Sequence, residues 1–196
     1  MDFVGDLQEI SPEKIFAHRL LVLDFLDHLL QKYPWLQILY KPFPGTYNND
    51  PIKTKCSKWI GNGRIQVTDH SPKILYSKVD IVLWDSISTG FSESIISGVP
   101  VILFNNRYEY ELASPQGKVV NEALTKARVQ CFDIDNALNS FDRIMNDLNS
   151  YRNDTKASIQ MFMKDHAMPV SKKEWFGNFN QIVADYSNTK KNITKD

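Results

Sequence analysis

The sequence predicts one α/β domain, a doubly wound three-layer α/β/α sandwich around a mainly parallel sheet of about five strands. Three observations carry that expectation. Short apolar runs recur along the chain at Leu36–Tyr40, Ile65–Thr68, Asp80–Trp84, Pro100–Phe104 and Val129–Phe132, and two of them, Ile81–Trp84 and Val101–Phe104, are continuous rather than alternating, as in strands buried on both faces. Segments of helical periodicity separate them. Finally, 196 residues, 42% of them apolar, suit one domain with a sizeable core.

Taken in order, Ser11-Pro12 pairs an N-cap with a proline at the first helical position and opens a helix that runs to Tyr33. Val22, Leu26, Leu29, Leu30 and Tyr33 share one stripe of it, and Pro34 ends it. Leu36–Tyr40 is the first strand. Residues 41–64 hold three prolines and three glycines, which predicts loop with one helical turn at Lys55–Ile60. Ile65–Thr68 is the second strand, Pro72–Ser77 a short helix, and Asp80–Trp84 and Pro100–Phe104 the third and fourth strands. Gly90–Ser97 has room for about two helical turns, and Gly98 stops it. Residues 105–116 read as a polar loop, 117–127 as a helix and Val129–Phe132 as the fifth strand. Asp133 or Asp135 caps a helix reaching Tyr151. Helical patches at 154–166 and 172–186 follow, and the polar tail 187–196 is expected to fray. The domain is thus expected over residues 1–186, with its core in 12–150. One oddity is that the chain opens on a helix. Met1–Val4 is a poor first strand, so the usual first strand of such a sheet is expected upstream.

Composition narrows the function classes. Lys+Arg and Asp+Glu both total 23, so the net charge is zero. That balance argues against nucleic-acid binding and against a polybasic membrane contact, which need clustered positive charge. Cys56 and Cys131 lack CxxC or histidine spacing and read as reduced thiols of a cytoplasmic protein. His18, His28 and His166 fall on helices without metal-ligand spacing, so no metal is expected. The N-terminus lacks the charged and apolar regions of a signal peptide, and no run approaches the ~20 apolar residues of a bilayer span. Without a secretion signal, Asn153-Asp154-Thr155 and Asn192-Ile193-Thr194 read as chance matches to the glycosylation pattern.

The chemistry concentrates in VDIVLWDSISTGFSESIISGVPVILF, residues 79–104. Two apolar runs bracket an elbow of Asp85, Ser86, Ser88, Thr89, Ser92, Glu93 and Ser94. In a doubly wound sheet, ligands sit outside the carboxyl ends of the strands, and this elbow occupies such an end. A helix starting near Thr89-Gly90 would present free N–H groups and a favourable dipole to an anion. Ser86, Ser88 and Thr89 add hydroxyls, Gly90 allows a close backbone approach, and Glu93, in the first turn, is placed to accept from ribose hydroxyls. The same residues also fit an ordinary strand-to-helix connection, with serine or threonine as cap and glutamate favoured by the dipole.

The spacing Glu93, Gly98, Pro100 before Val101–Phe104, with Asp80 opening the preceding strand, resembles the donor-binding segment of GT-B glycosyltransferases and related nucleotide-sugar enzymes. The order of elements over residues 12–150 is also similar to the Rossmann-like C-terminal domain of that superfamily. The resemblance implies that Glu93 holds the nucleotide ribose and that Ser86, Ser88, Thr89 and Gly90 meet the donor diphosphate. It implies a nucleotide-activated sugar or polyol as donor substrate and no separate cofactor, with a role in cell-surface polysaccharide synthesis. Nucleotide-sugar 2-epimerases and polyol-phosphate transferases share the pattern.

Lys41, at the end of the first strand in LQILYKPFPG, resembles the K-x-H-P of surface-polymer glycerophosphotransferases and would reach the diphosphate; here Phe43 stands where that pattern has histidine. His70, in Asp69-His70-Ser71 after the second strand, could orient a diphosphate or transfer a proton, or be plain surface before the Ser71-Pro72 helix start. Arg107 and Tyr108, with Tyr110, offer a charge and stacking rings to a base or sugar. Trp59 and Trp84 read as packing residues.

In GT-B enzymes the reaction lies between two Rossmann-like domains, and this chain has room for one. The resemblance therefore implies a donor-binding half, a C-terminal part of a longer enzyme that sits in the cytoplasm or against the inner membrane face. An N-terminal acceptor domain or subunit would be its partner, and the isolated chain would turn over nothing. The competing expectation is a non-catalytic interaction domain that keeps the fold, with the helices at 154–186 and the Trp175-Phe176 pair as its contact surface.

Overall fold

The computed structural model describes residues 11–42 and 50–166. Met1–Val4, Phe43, the 172–186 helix with Trp175-Phe176, and the tail at 187–196 lie outside the described residues. The order is α1 (Pro12–Lys32), β1 (Ile38–Tyr40), α2 (Ile52–Lys55), α3 (Ser57–Gly61), β2 (Ile65–Val67), α4 (Pro72–Leu75), β3 (Val82–Trp84), α5 (Thr89–Ser97), β4 (Val101–Phe104), α6 (Arg107–Leu112), α7 (Pro115–Lys126), β5 (Gln130–Cys131), α8 (Ile134–Asn146) and α9 (Leu148–His166).

The chain is mixed α/β, and all the strand pairs among the described residues are parallel, as expected. The single five-stranded sandwich is not what forms. β1 pairs with β2, β3-β4-β5 makes a separate three-stranded sheet, and no backbone hydrogen bond joins the two among the described residues. The strands that would have to join the two sheets are three residues long and each pairs on one side alone. Ile38 N–H and Tyr40 C=O are spent on the β2 side, and β3 is spent on β4. β1 and β3 therefore each keep one open edge, and Leu39 between the spent positions stays 40% exposed. A parallel sheet is normally covered on both faces. Here β4 is buried at every position, whereas β3 is only half-buried throughout.

What unites the sheets is a common layer. Phe25, Leu26, Leu29 and Leu30 of α1 and Ala137, Phe141 and Ile144 of α8 form one cluster with Tyr40, Ile65, Ile102 and Phe104. Phe25 meets Phe104 edge-on with ring centroids 5.4 Å apart. On the other face, Phe91 and Ile95 of α5 pack with Leu103, Val120, Leu124 and Phe162.

Helix ends follow the sequence signals closely. Ser11 caps α1 through Lys14 N–H, and Asp133 rather than Asp135 caps α8 through Asn136 N–H. Gly98 ends α5 in the left-handed region, at φ 78°, where a Cβ would be penalised. Three expectations need correction. The loop at 105–116 contains α6, because the Asn106 side chain accepts from Tyr108 N–H and starts a helix inside a polar stretch. Residues 41–64 hold two short helices, α2 and α3, in place of one turn. The helix expected to reach Tyr151 breaks at Asp147, whose ψ of 84° separates α8 from α9.

Candidate functional site

Among the described residues every strand pair is parallel, so the carboxyl ends within each sheet lie at one edge, and Arg19, bonded to Asp50 beside the Tyr40 hydroxyl and to Asp85 just after β3, brings the two edges together. The register sets Tyr40 beside Val67, Trp84 beside Leu103 and Phe104 beside Cys131. Lys41 and His70 therefore follow the two-stranded sheet, whereas the elbow at Asp85–Gly90 and the Arg107-Tyr108 pair follow the three-stranded one. The candidate residues share an edge and are divided between two sheets.

At the elbow, Ser88 is the N-cap of α5 and its hydroxyl accepts from Phe91 N–H at 3.3 Å. That leaves the N–H groups of Thr89 and Gly90 at the mouth of the helix with no protein acceptor among the described residues. These are the orphan donors that make helix starts attractive to anions. Thr89 is exposed and Ser86 half-buried. Gly90 has a packing duty. A Cβ there would come within 2.3 Å of the Trp84 ring, so the glycine lets α5 lie against the indole. Trp84 is fixed in turn by its Nε1–H, which donates to Ser94 Oγ at 3.0 Å, and the Tyr76 hydroxyl donates to Gly90 O at 2.9 Å.

The helix begins at Thr89, as expected, but Glu93 is its fifth residue and so lies in the second turn of α5, not the first. Its side chain is 32% exposed and meets Lys73 of α4 at 3.5 Å. With Lys73, Tyr76, Ser77, Ile96 and Ser97 it lines a groove of about 480 Å³ between α4 and α5. Burial, with Glu93 adding to it, pushes the Tyr76 phenol up to about 12, so it remains a hydrogen-bond donor at neutral pH.

The other candidates are less engaged. Lys41 is half-buried and makes no ion pair among the described residues. His70 is exposed; its backbone N–H donates to Thr68 Oγ1 at 3.2 Å, and its ring has no partner among the described residues. Arg107 is exposed with its guanidinium 5.8 Å from the Phe132 ring centroid. Tyr108 is 41% exposed and carries Lys14 Nζ 4.0 Å above its ring. Tyr110 packs edge-on against Phe132 instead of facing a ligand. Trp59 packs as expected, its Nε1–H donating to Asp27 at 2.6 Å.

The structure adds a cluster that sequence reasoning missed. Arg19 of α1 donates from one Nη to Asp85 Oδ2 at 3.0 Å and from the other to Asp50 Oδ2 at 2.9 Å. Tyr40 OH also donates to Asp50, whose other oxygen accepts from Ile52 N–H at 3.0 Å. His18 Nε2 donates to the Asp85 carbonyl at 3.0 Å. A signal was present. Arg19 falls on the same stripe as Val22, Leu26, Leu29 and Tyr33, and a charge on a core stripe requires a partner.

Comparison of the chain with family models, with curated proteins and with solved structures found no match. No helix among the described residues is long and apolar enough to cross a membrane.

Proposed function

We propose that the carboxyl edge binds the diphosphate and ribose of a nucleotide-activated sugar or polyol, and that the chain is the donor-binding part of a GT-B-like glycosyltransferase or polyol-phosphate transferase. One observation carries the reading. The Thr89 and Gly90 N–H groups open without a protein acceptor among the described residues at a strand's carboxyl end, and Glu93, one turn onward, lines a groove that continues along α5 past Ile96 and Ser97. The anion would sit on these donors and the Thr89 hydroxyl, where the helix dipole favours negative charge. Such a site stabilises charge developing on a diphosphate leaving group. Glu93 would exchange its exposed contact with Lys73 for ribose hydroxyls, at small cost because surface ion pairs are worth about 0–1 kcal/mol. Lys41 and His70, on the neighbouring sheet, would approach the diphosphate from the opposite side. Arg107 and Tyr108 would meet the base or sugar. Acceptor binding and the general base would come from an N-terminal domain or subunit.

The test is a titration of the chain with UDP, GDP, CDP and CMP, read by thermal shift and by amide chemical shifts. A diphosphate is expected to move the Thr89 and Gly90 resonances at millimolar concentration. Glu93→Ala is expected to keep the melting temperature and lose the nucleotide preference while retaining pyrophosphate. If no nucleotide perturbs the chain, the donor-site reading fails and a fold-retaining interaction domain takes its place. Ser88 as cap and Gly90 as packing residue are already what such a domain would need.

A further inference from the structure

We infer that Arg19 is a positioning residue for the elbow: through Asp85 and Asp50 it sets the height of the α5 entrance relative to the end of β1. The binding consequence rests on the donor-site reading; the structural consequence does not.

Two independent observations lead here. The first is how weakly the elbow is held by its own backbone. Among the described residues, residues 85–87 take part in no backbone–backbone hydrogen bond. Between its ends only Ile87 is anchored, by packing against the cluster of Phe91 and Leu103, and the polar ties are at the two ends. Ser88 closes the far end as the α5 cap, and Asp85 closes the near end through Arg19 on its carboxylate and His18 on its carbonyl. A loop with few internal hydrogen bonds opens locally at low cost unless its ends are fixed.

The second is the geometry at Arg19. The planar guanidinium sends its two Nη groups to two different carboxylates, 3.0 and 2.9 Å away. An ammonium on a flexible stem cannot reproduce that two-way fork. Asp50 is only 5% exposed and also takes Tyr40 OH and Ile52 N–H, so its end of the link is rigid. Asp85 is 40% exposed at the elbow itself. No ladder joins the two sheets among the described residues. At the carboxyl edge, Asp50–Arg19–Asp85 does this instead, and it joins the sheet carrying Lys41 and His70 to the one carrying Thr89 and Gly90. The arrangement fixes the two halves of the candidate site relative to each other.

The experiment uses the 196-residue chain with Asp85→Asn, Arg19→Gln and the double variant. Asp85→Asn cuts only the exposed arm and leaves Arg19 on Asp50, so it keeps the fold even if Arg19→Gln does not. Amide hydrogen exchange at Phe91 and Ser92, whose N–H groups are held by Ser88 at the far end of the elbow, is expected to accelerate about 10-fold in either single variant and no further in the double. Exchange at Val82 and Leu103, which reports the sheet, stays unchanged. Asp85→Glu, which keeps the charge, is expected to restore part of the protection. With pyrophosphate and UDP as probes, dissociation constants rise about 10-fold in the same variants. Unchanged elbow exchange in Asp85→Asn overturns the inference, as does equal pyrophosphate and UDP affinity across all variants. If elbow exchange accelerates as expected while neither probe binds the parent chain, the nucleotide reading falls and the positioning role of Arg19 stands.

Discussion

Gly90→Ala separates two accounts of the glycine at the helix entrance. A Cβ at this position would stand 2.3 Å from Cη2 and 2.8 Å from Cζ2 of Trp84. Contacts that short must open by about an ångström before dispersion becomes attractive. The ring is poorly placed to yield, since Nε1–H is bonded to Ser94 Oγ at 3.0 Å and Ser94 is fully buried. Overpacking of this kind costs about 1–3 kcal/mol, and disturbing the indole hydrogen bond adds about 1 kcal/mol. Alanine returns at most about 1 kcal/mol through its helix propensity. The balance is a loss of about 2 kcal/mol, or a fall of roughly 4–8 °C in Tm for a chain of this size. Urea unfolding followed by far-ultraviolet circular dichroism measures it. In a Trp84→Leu background the same change is expected to be neutral or stabilising, because the clashing ring is gone. If Gly90→Ala leaves the parent chain as stable as before, the indole is not what requires glycine here. If it also abolishes nucleotide binding, close approach of the ligand is.

Gln130 on β5 is 2% exposed, and neither its Oε1 nor its Nε2 has a hydrogen-bond partner among the described residues. Gln130→Leu should therefore raise the urea midpoint by an amount equivalent to about 1–2 kcal/mol; a lower midpoint would mean that the carboxamide is satisfied in solution. Burial pushes the Cys56 and Cys131 thiols up to about 11 and the Tyr151 phenol up to about 12. In each case the folded value lies above the ordinary one, so the folded chain favours the protonated form. The corresponding stability is whole below pH 9 and is lost as pH rises toward 11 and then 12. Urea midpoints measured from pH 7 to 11 should decline from about pH 9 onward, and a flat profile would contradict the burial of these groups. At pH 8 both thiols, 0% and 3% exposed, should react with an aromatic disulfide reagent only at the rate of unfolding.

Local structure was legible wherever one residue type has one physical use. Ser11-Pro12, Gly98 and Asp133 marked helix ends because caps, αL turns and proline at the first position act within a few residues. The strands were legible because their apolar runs are short and bounded. α6 was missed because a polar stretch such as NNRYEYEL carries no stripe and depends on the Asn106 cap. Of the site, the elbow was readable as a hydroxyl-rich strand end and the helix start at Thr89 as well, whereas Glu93, the fifth residue of that helix, falls one turn later than expected.

By itself, then, the sequence determined the α/β character, the parallel polarity and the gathering of hydroxyls at a carboxyl end. These follow from periodicity and from right-handed strand–helix–strand connection, which are properties of neighbouring residues. Only the tertiary structure decided that the strands divide into two sheets, that Gly90 answers to Trp84, and that Arg19 spans Asp50 and Asp85. Those are contacts between residues 6, 31 and 66 positions apart, respectively for Trp84–Gly90, Arg19–Asp50 and Arg19–Asp85. Packing and charge pairing at such separations depend on where the helices settle on the sheets, and no local pattern encodes that.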